Sequence, residues 1–368
     1  MRHLFLPLIL LPACDSTFTP DPPSAVTGPA RGMSLAYTHT LVATVPEPGA
    51  TQNLAVFGND VPRPTNGQGD VEPLELPTIV SVAVGRRHAC ALSTTGSVHC
   101  WGDHGRGALG ANRACTPPTV EGAAPNCVLG VGGVAALPPA RALAAGDDVS
   151  CAITTEDRVV CWGVASRVGG STLPALDPPT PVRMPDGTAL AAARVVIGGG
   201  AVCAIDRGQA LWCWGDGFGA APQRQAQTGV VDVAIGAHHR CVIDAAGLAC
   251  WGDNRNGQVG DLTAARGCPR GDACVVPDPH HVDLDATRVV VGERHTCALD
   301  RGGVVSCWGS NEVGQLGRAD AFLVGAIAPV LDDVVELAAG YAHACAQRAD
   351  GRVWCWGSTD LADPSEVR

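Results

Sequence analysis

The sequence predicts an all-β fold, a seven-bladed β-propeller of four-stranded blades with intra-blade disulfides, and three observations carry that prediction. A short motif recurs along the chain at a spacing near fifty residues. Sixteen of the 17 cysteines fall into eight close pairs. Between glycine-rich turns the runs are short and β-rich, as strands of a meander are.

The repeat is the strongest of the three. Six times a Cys on one short strand is followed by Cys-Trp-Gly on the next: Cys90 and Cys100, Cys151 and Cys161, Cys203 and Cys213, Cys241 and Cys250, Cys297 and Cys307, Cys345 and Cys355. A glycine stands five residues before each first Cys, at Gly85, Gly146, Gly198, Gly236, Gly292 and Gly340. A cysteine-free seventh copy precedes them, with His39-Thr40-Leu41-Val42 in the place of His295-Thr296-Cys297-Ala298 and Val56-Phe57-Gly58 in that of Cys-Trp-Gly. The aromatic-Gly landmarks begin at 57, 101, 162, 214, 251, 308 and 356, a period that suits one four-stranded blade plus its loops. Within the copy around Cys297, strands read at 281–284, 288–291, 295–299 and 304–308, broken at Asp285, Gly292 and Gly302-Gly303. Radial repetition of such sheets buries both faces of each blade and leaves few open edges.

The propeller takes residues 32–368, and what precedes it reads as an address. Residues 1–14, MRHLFLPLILLPAC, combine a basic start at Arg2, an apolar stretch too short to span a bilayer and a small residue before Cys14. Leu11-Pro12-Ala13-Cys14 has the outline of a bacterial lipobox, in which the cysteine is acylated and becomes the new N-terminus. An odd cysteine count agrees, since Cys14 is the one left over when the rest are paired. Residues 15–31, rich in Ser, Thr, Pro and Gly, suit a flexible tether. The expected location is extracytoplasmic, lipid-anchored to a bacterial membrane or cell surface, or fully secreted if the leader is an ordinary signal peptide.

Composition narrows the partners. The formal charge is −11 and all 25 basic residues are arginine, with no basic run, which argues against nucleic acid and against broad attraction to anionic lipid. Membrane contact is expected only through the anchor.

Segments such as GERHTCAL at 292–299, VVSCWGSNEVGQLG at 304–317, GRRHACAL at 85–92 and CWGDNRNGQVG at 250–260 resemble the repeat of the regulator of chromosome condensation, and the likeness covers about residues 32–368. The copies around Cys151 and Cys203 depart from it, with Val149 and Ala201 in the place of His and no Gly-Gln-Leu-Gly tail. The resemblance implies a ring closed between first and last copies, so that the segment near 33–45 packs beside the C-terminal copy. Its members include an exchange factor for a nuclear GTPase and a secreted bacterial inhibitor of β-lactamase, so it implies protein binding without naming a target.

The recurrent residues read as structural. About nine intervening residues between thiols on facing strands suit a hairpin cross-link, whereas zinc sites use two to four. No metal, cofactor or catalytic residue is expected. His88, His239, His295 and His343 recur with the repeat and are expected to satisfy a backbone group at the blade's inner edge; the tryptophans are expected to pack between blades. Two insertions carry further pairs, Cys115 with Cys127 and Cys268 with Cys274, and should emerge on one face of the ring as pre-ordered loops. The second contains Arg270-Gly271-Asp272, which resembles an integrin-binding motif.

The function expected is a non-catalytic extracytoplasmic binding module, monomeric, presenting stapled loops to a protein or envelope polymer. A polysaccharide-acting propeller enzyme and a purely structural surface spacer are the alternatives. Inward carboxylates over the central channel would favour the enzyme.

Overall fold

The computed structural model describes residues 30–35, 39–44, 54–58, 76–104, 106–110, 128–164, 177–261, 274–319, 324–357 and 361–367, and every described element is a strand, short turn or bend. Six four-stranded antiparallel blades follow one another along the chain, each in the order first to fourth strand from the channel outward. Blade I holds β4 (Ile79–Val84), β5 (His88–Ser93), β6 (Val98–Asp103) and β7 (Val128–Gly133). Blade II holds β8 (Ala140–Ala145), β9 (Val149–Thr154), β10 (Val159–Gly163) and β11 (Asp177–Pro181). Blade III holds β12 (Arg194–Gly198), β13 (Ala201–Ile205), β14 (Leu211–Gly215) and β15 (Gly219–Arg224). Blade IV holds β16 (Asp232–Ile235), β17 (His239–Asp244), β18 (Gly247–Asp253) and β19 (Val275–Val282). Blade V holds β20 (Ala286–Val291), β21 (His295–Asp300), β22 (Val305–Ser310) and β23 (Val324–Leu331); blade VI holds β24 (Val334–Ala339), β25 (His343–Arg348), β26 (Val353–Gly357) and β27 (Leu361–Val367).

The expectation of seven four-stranded blades is corrected to six. The cysteine-free first copy forms a three-stranded sheet among the described residues: β1 (Ala30–Leu35), β2 (His39–Thr44) and β3 (Leu54–Gly58). This copy has neither the disulfide nor the Trp with which every blade grips its neighbour, and residues 59–75 lie outside the described set. The sheet nevertheless fills the gap in the ring, because its inner strand β1 lies against both β4 and β24. Met33, Leu35 and Val42 pack on Cys345, Val353 and Cys355 of blade VI, as the expected closure requires. Closure is by packing between faces; no described strand of the first copy joins the sheet of blade VI.

The core is distributed between blades, not inside any one of them. Each Cys-Trp-Gly tryptophan leaves its own sheet and packs on the preceding one: Trp162 lies on Leu92, Val98 and Leu109 of blade I, Trp308 on Ile243, Leu248 and Val259 of blade IV. Trp101, Trp162, Trp214, Trp308 and Trp356 are fully buried. Burying such rings removes 150–250 Å² each and dominates the energetics of the interface.

Six disulfides lie where the repeat places them, Cys90–Cys100, Cys151–Cys161, Cys203–Cys213, Cys241–Cys250, Cys297–Cys307 and Cys345–Cys355, all with Cα–Cα 4.1 Å. Each joins directly opposed residues of the second and third strands, the close non-hydrogen-bonded register that lets two sulfurs meet. Cys14, Cys115, Cys127 and Cys268 lie outside the described residues; Cys274, at their edge, is disulfide-bonded.

The outermost strands are edges, and most are blunted. Pro178, Pro179 and Pro181 stand in β11, Pro222 in β15, Pro277 and Pro279 in β19, Pro329 in β23 and Pro364 in β27. A proline offers no amide donor, so it discourages a foreign strand from continuing the sheet.

Candidate binding face

In an antiparallel blade the links from first to second strand and from third to fourth leave at one end, and the remaining links at the other. Both cysteine-bearing insertions join a third strand to a fourth, β6 to β7 and β18 to β19, so their roots share one face, three blades apart around the ring. The insertions themselves, residues 111–127 and 262–273, lie outside the described residues, and so does Arg270-Gly271-Asp272. The root of the second is well tied. Buried Asn254 donates from Nδ2 to the Asp261 carbonyl at 2.7 Å, accepts from Val259 N at 3.0 Å, and its own amide donates to the Cys274 carbonyl at 2.7 Å.

The mouth of the channel on this face is a collar of the repeated glycines. A Cβ added at Gly85 would fall on the Gly146 carbonyl oxygen, and one at Gly292 would meet the Gly340 carbonyl oxygen at 2.7 Å. The same added atoms would strike the imidazoles of His88 and His295, so close approach of neighbouring blades and the folded-back histidine both demand glycine here. Around the collar lie paired ions, Arg87 with Asp103 at 3.1 Å, Arg106 with Asp148 at 3.5 Å and Arg294 with Glu312 at 3.8 Å. Tyr341 and Val313 add exposed apolar surface between them.

Below the collar the histidines hold the blades together, through a partner the sequence did not reveal. His88 Nε2 bonds Ser150 Oγ of the next blade at 2.8 Å, and that hydroxyl donates to the Ala108 carbonyl of the first at 3.1 Å. Trp162 Nε1 donates to the same carbonyl at 2.9 Å. Blades IV and V repeat the arrangement: His239 Nε2 to Thr296 Oγ1 at 2.7 Å, Thr296 to the Gln258 carbonyl at 2.8 Å, Trp308 Nε1 to that carbonyl at 3.0 Å. The hydroxyl's one proton goes to the carbonyl, so it accepts from an imidazole protonated at Nε2. His343 likewise meets Thr40 Oγ1 of the N-terminal sheet at 3.1 Å. The backbone acceptor expected for these histidines is thus corrected to a hydroxyl on the following sheet.

Blade VI carries Ala344 where the N-terminal sheet, blade II and blade V carry Thr40, Ser150 and Thr296, and both ring nitrogens of fully buried His295 are left without a hydrogen bond. Burial pushes His239 and His295 down to about 3. At His239 the Asp253 carboxylate favours a proton but burial outweighs it, and at His295 the neighbouring His239 and His343 add to burial, so both imidazoles are neutral near pH 7.

The channel wall has one polar layer that sequence reading missed. Ser81, Ala142, Arg194, Asp232, Arg288 and Glu336 each pair with the residue two beyond the first cysteine of their blade, so they occupy equivalent positions on successive inner strands. Aligning the copies on that cysteine would have found them. Asp232, 1% exposed, bonds Arg194 of the preceding blade at 2.8 Å and accepts the Val289 amide of the following one at 2.9 Å. Glu336 accepts the Met33 amide at 3.2 Å. The two carboxylates of this layer among the described residues are therefore each engaged in joining sheets, with Arg288 on the strand between them. No group of three or more metal-ligating side chains occurs among the described residues.

Residues 79–108, 286–315 and 334–360 match the family model described as Regulator of chromosome condensation (RCC1) repeat. Among curated proteins, pim1 of Schizosaccharomyces pombe is 26% identical over 284 residues, which cover 66% of this chain and 49% of pim1, so the chain spans about half the length of that relative. Among solved structures, Prp20p of Saccharomyces cerevisiae aligns with TM-score 0.68 at 18% identity, covering 94% of this chain and 87% of that one. The ectodomain of the Physcomitrella patens receptor kinase CR4 aligns at 0.52 with 21% identity, over 90% of this chain and 75% of that one. The fold is an RCC1-like β-propeller.

Proposed function

We propose that this propeller is a non-catalytic module that binds a protein partner outside the cytoplasm, on a lipid anchor at Cys14, and that it does so with the face bearing the two insertions. The observation that carries the reading is the position of the insertion roots. The two segments that the repeat does not need, each with its own extra cysteines, leave the same face of a frame whose strands are already fixed by packing. Loops on a rigid frame are where binding residues accumulate, and a cross-linked loop loses less entropy on docking. Relatives of this fold support a protein as the partner class: Prp20p is described with binding properties to Gsp1p and histones, and yeast RCC1 (Prp20) with Kap60 bound. Six buried disulfides support an oxidising compartment.

The test is a pull-down from envelope extract with the signal-free domain, repeated after replacing residues 112–127 or 262–273 by short Gly-Ser linkers, which leaves β7 and β19 whole. The expected result is an unfolding transition within a few degrees of the parent, about 1 kcal/mol or less for an exposed loop, with capture of the partner lost. Unchanged capture by both variants moves the site off this face. Mass spectrometry of the mature N-terminus tests the anchor: a free terminus other than acylated Cys14 removes it.

A further inference from the structure

At three junctions the buried indole N–H is taken up by a carbonyl on the third-to-fourth link of the preceding blade: Trp162 Nε1 by Ala108 at 2.9 Å, Trp308 Nε1 by Gln258 at 3.0 Å and Trp356 Nε1 by Gln315 at 3.1 Å. At two of them the hydroxyl one residue past the histidine position, on Ser150 or Thr296, donates to the same oxygen. Those links are long, residues 104–127, 254–274 and 311–323. Blade III turns from β14 to β15 over residues 216–218 alone, and the Nε1 of Trp251, the tryptophan packed on it, makes no hydrogen bond among the described residues. Arg240 stands where Ser150 and Thr296 stand, directly opposite Trp251 in the ladder. Its guanidinium carbon lies 4.8 Å from the centre of the Phe218 ring and 5.2 Å from that of Trp251. It too has neither a hydrogen bond nor a carboxylate partner among the described residues, and burial pushes it below its usual range with no acid to offset the shift. Trp251 is 9% exposed, whereas Trp162, Trp308 and Trp356 are at 0%. Two donors without an acceptor, one of them charged, thus lie side by side beneath a short link on the face that bears the insertions.

We propose that Arg240 and Trp251 form a carboxylate-binding site, in which a ligand oxygen takes the place that the Ala108, Gln258 and Gln315 carbonyls fill at the other junctions. The carboxylate is an Asp or Glu side chain of the protein partner assigned to this face above, and the proposal rests on that reading. A carboxylate supplies what the site lacks, since it only accepts hydrogen bonds and it carries the opposite charge. Its two oxygens can meet the guanidinium and the indole N–H together. The two rings hold the guanidinium in place, so little side-chain freedom is lost on binding. A half-buried cation without an acid stands out in a chain with 36 acidic and 25 basic residues, where Arg87, Arg194, Arg255 and Arg301 each have a carboxylate oxygen within 3.1 Å.

Titration of the signal-free propeller with sodium acetate, N-acetylglutamate or sodium sulfate at fixed ionic strength reads the site without the partner, through the NMR signals of the Trp251 indole N–H and the Arg240 Nε–H. With acetate and N-acetylglutamate both signals are expected to shift saturably, with a dissociation constant on the order of 10 mM, as one charge-assisted contact gives. The Trp162 and Trp308 indoles, already bonded, should stay fixed and report that the fold is intact. Arg240→Gln is expected to raise the constant roughly tenfold or more and to weaken capture of the partner from envelope extract. No saturable shift up to about 100 mM, or a shift that survives in Arg240→Gln, would overturn the site. Saturation by sulfate and not by the carboxylates would assign it to a free inorganic anion, and capture undiminished by Arg240→Gln would detach it from the partner; either overturns the proposal. The reading of the face fails separately, by capture that survives the Gly-Ser replacements of the insertions, and the acetate titration does not depend on that result.

Discussion

Two kinds of junction hold neighbouring blades together, and they differ in which polar groups make the link. Between blades I and II, and again between IV and V, a buried imidazole, a hydroxyl, a carbonyl and an indole form one closed set of hydrogen bonds. Blades II and III lack the histidine, with Val149 and Ala201 in its place. There the junctions use charge instead. Arg207 of blade III bonds Asp157 of blade II and holds its carboxyl below the usual range, helped by Arg141, which also donates to the Ala192 carbonyl at 2.7 Å. Arg194 of blade III pairs with Asp232 of blade IV, and Arg240 of blade IV lies 4.8 Å over Phe218 of blade III. The lesson is that a propeller needs some directional link at each junction, and a repeat that loses one kind is free to use another.

Acid should separate the two kinds most sharply. His239 and His295 sit near 3 in the fold and near 6.5 when unfolded, so between those values the unfolded chain binds more protons. Their contribution is complete above pH 6.5 and is lost as pH falls toward 3, on the order of 4 kcal/mol for each. Urea unfolding at pH 7, 5 and 4 should show that decline, and His239→Gln should flatten it. A slope unchanged by the substitution would assign the acid sensitivity to carboxylates.

A smaller effect is expected at a charged junction. Asp232→Ala leaves the Val289 amide without its acceptor and Arg194 without its partner, at a cost of about 2–3 kcal/mol, below the value for a fully buried pair because Arg194 is partly exposed. Thermal unfolding should show the loss. A cost under about 0.5 kcal/mol would place this junction's strength in its apolar contacts.

The smallest change is a gain. Ala344→Ser offers His295 the hydroxyl that Ser150 gives His88, and should stabilise by about 1 kcal/mol, read as a higher unfolding midpoint. No gain would show that His295 is satisfied by other means.

The blades were legible because the repeat writes the same instruction many times: Cys90 and Cys100 alone suggest a hairpin, and six such pairs at a regular interval require a ring. The packing of each Trp between blades could be read for the same reason. The first copy was overread, since Val56-Phe57-Gly58 marks a third strand and gives no information about a fourth. The partners of the histidines were missed because His88 and Ser150 are 62 positions apart and belong to different copies. A signal existed: Ser150, Thr296 and Thr40 each stand one residue past the histidine position of their own copy. The insertions could be placed only at their roots, because nothing repeats inside them.

Every one of the six bridges joins cysteines 9 or 10 positions apart, with no other cysteine between them. A chain delivered N-terminus first can therefore close each bridge as its hairpin emerges, before the next cysteine arrives, and the correct pairing is also the earliest one available. Loops this short close in about 10–100 ns, far faster than roughly 5–20 residues are added each second. The thiols of each hairpin therefore meet first and most often, which biases an oxidant toward the native pairs even though the bond itself takes seconds to hours to form.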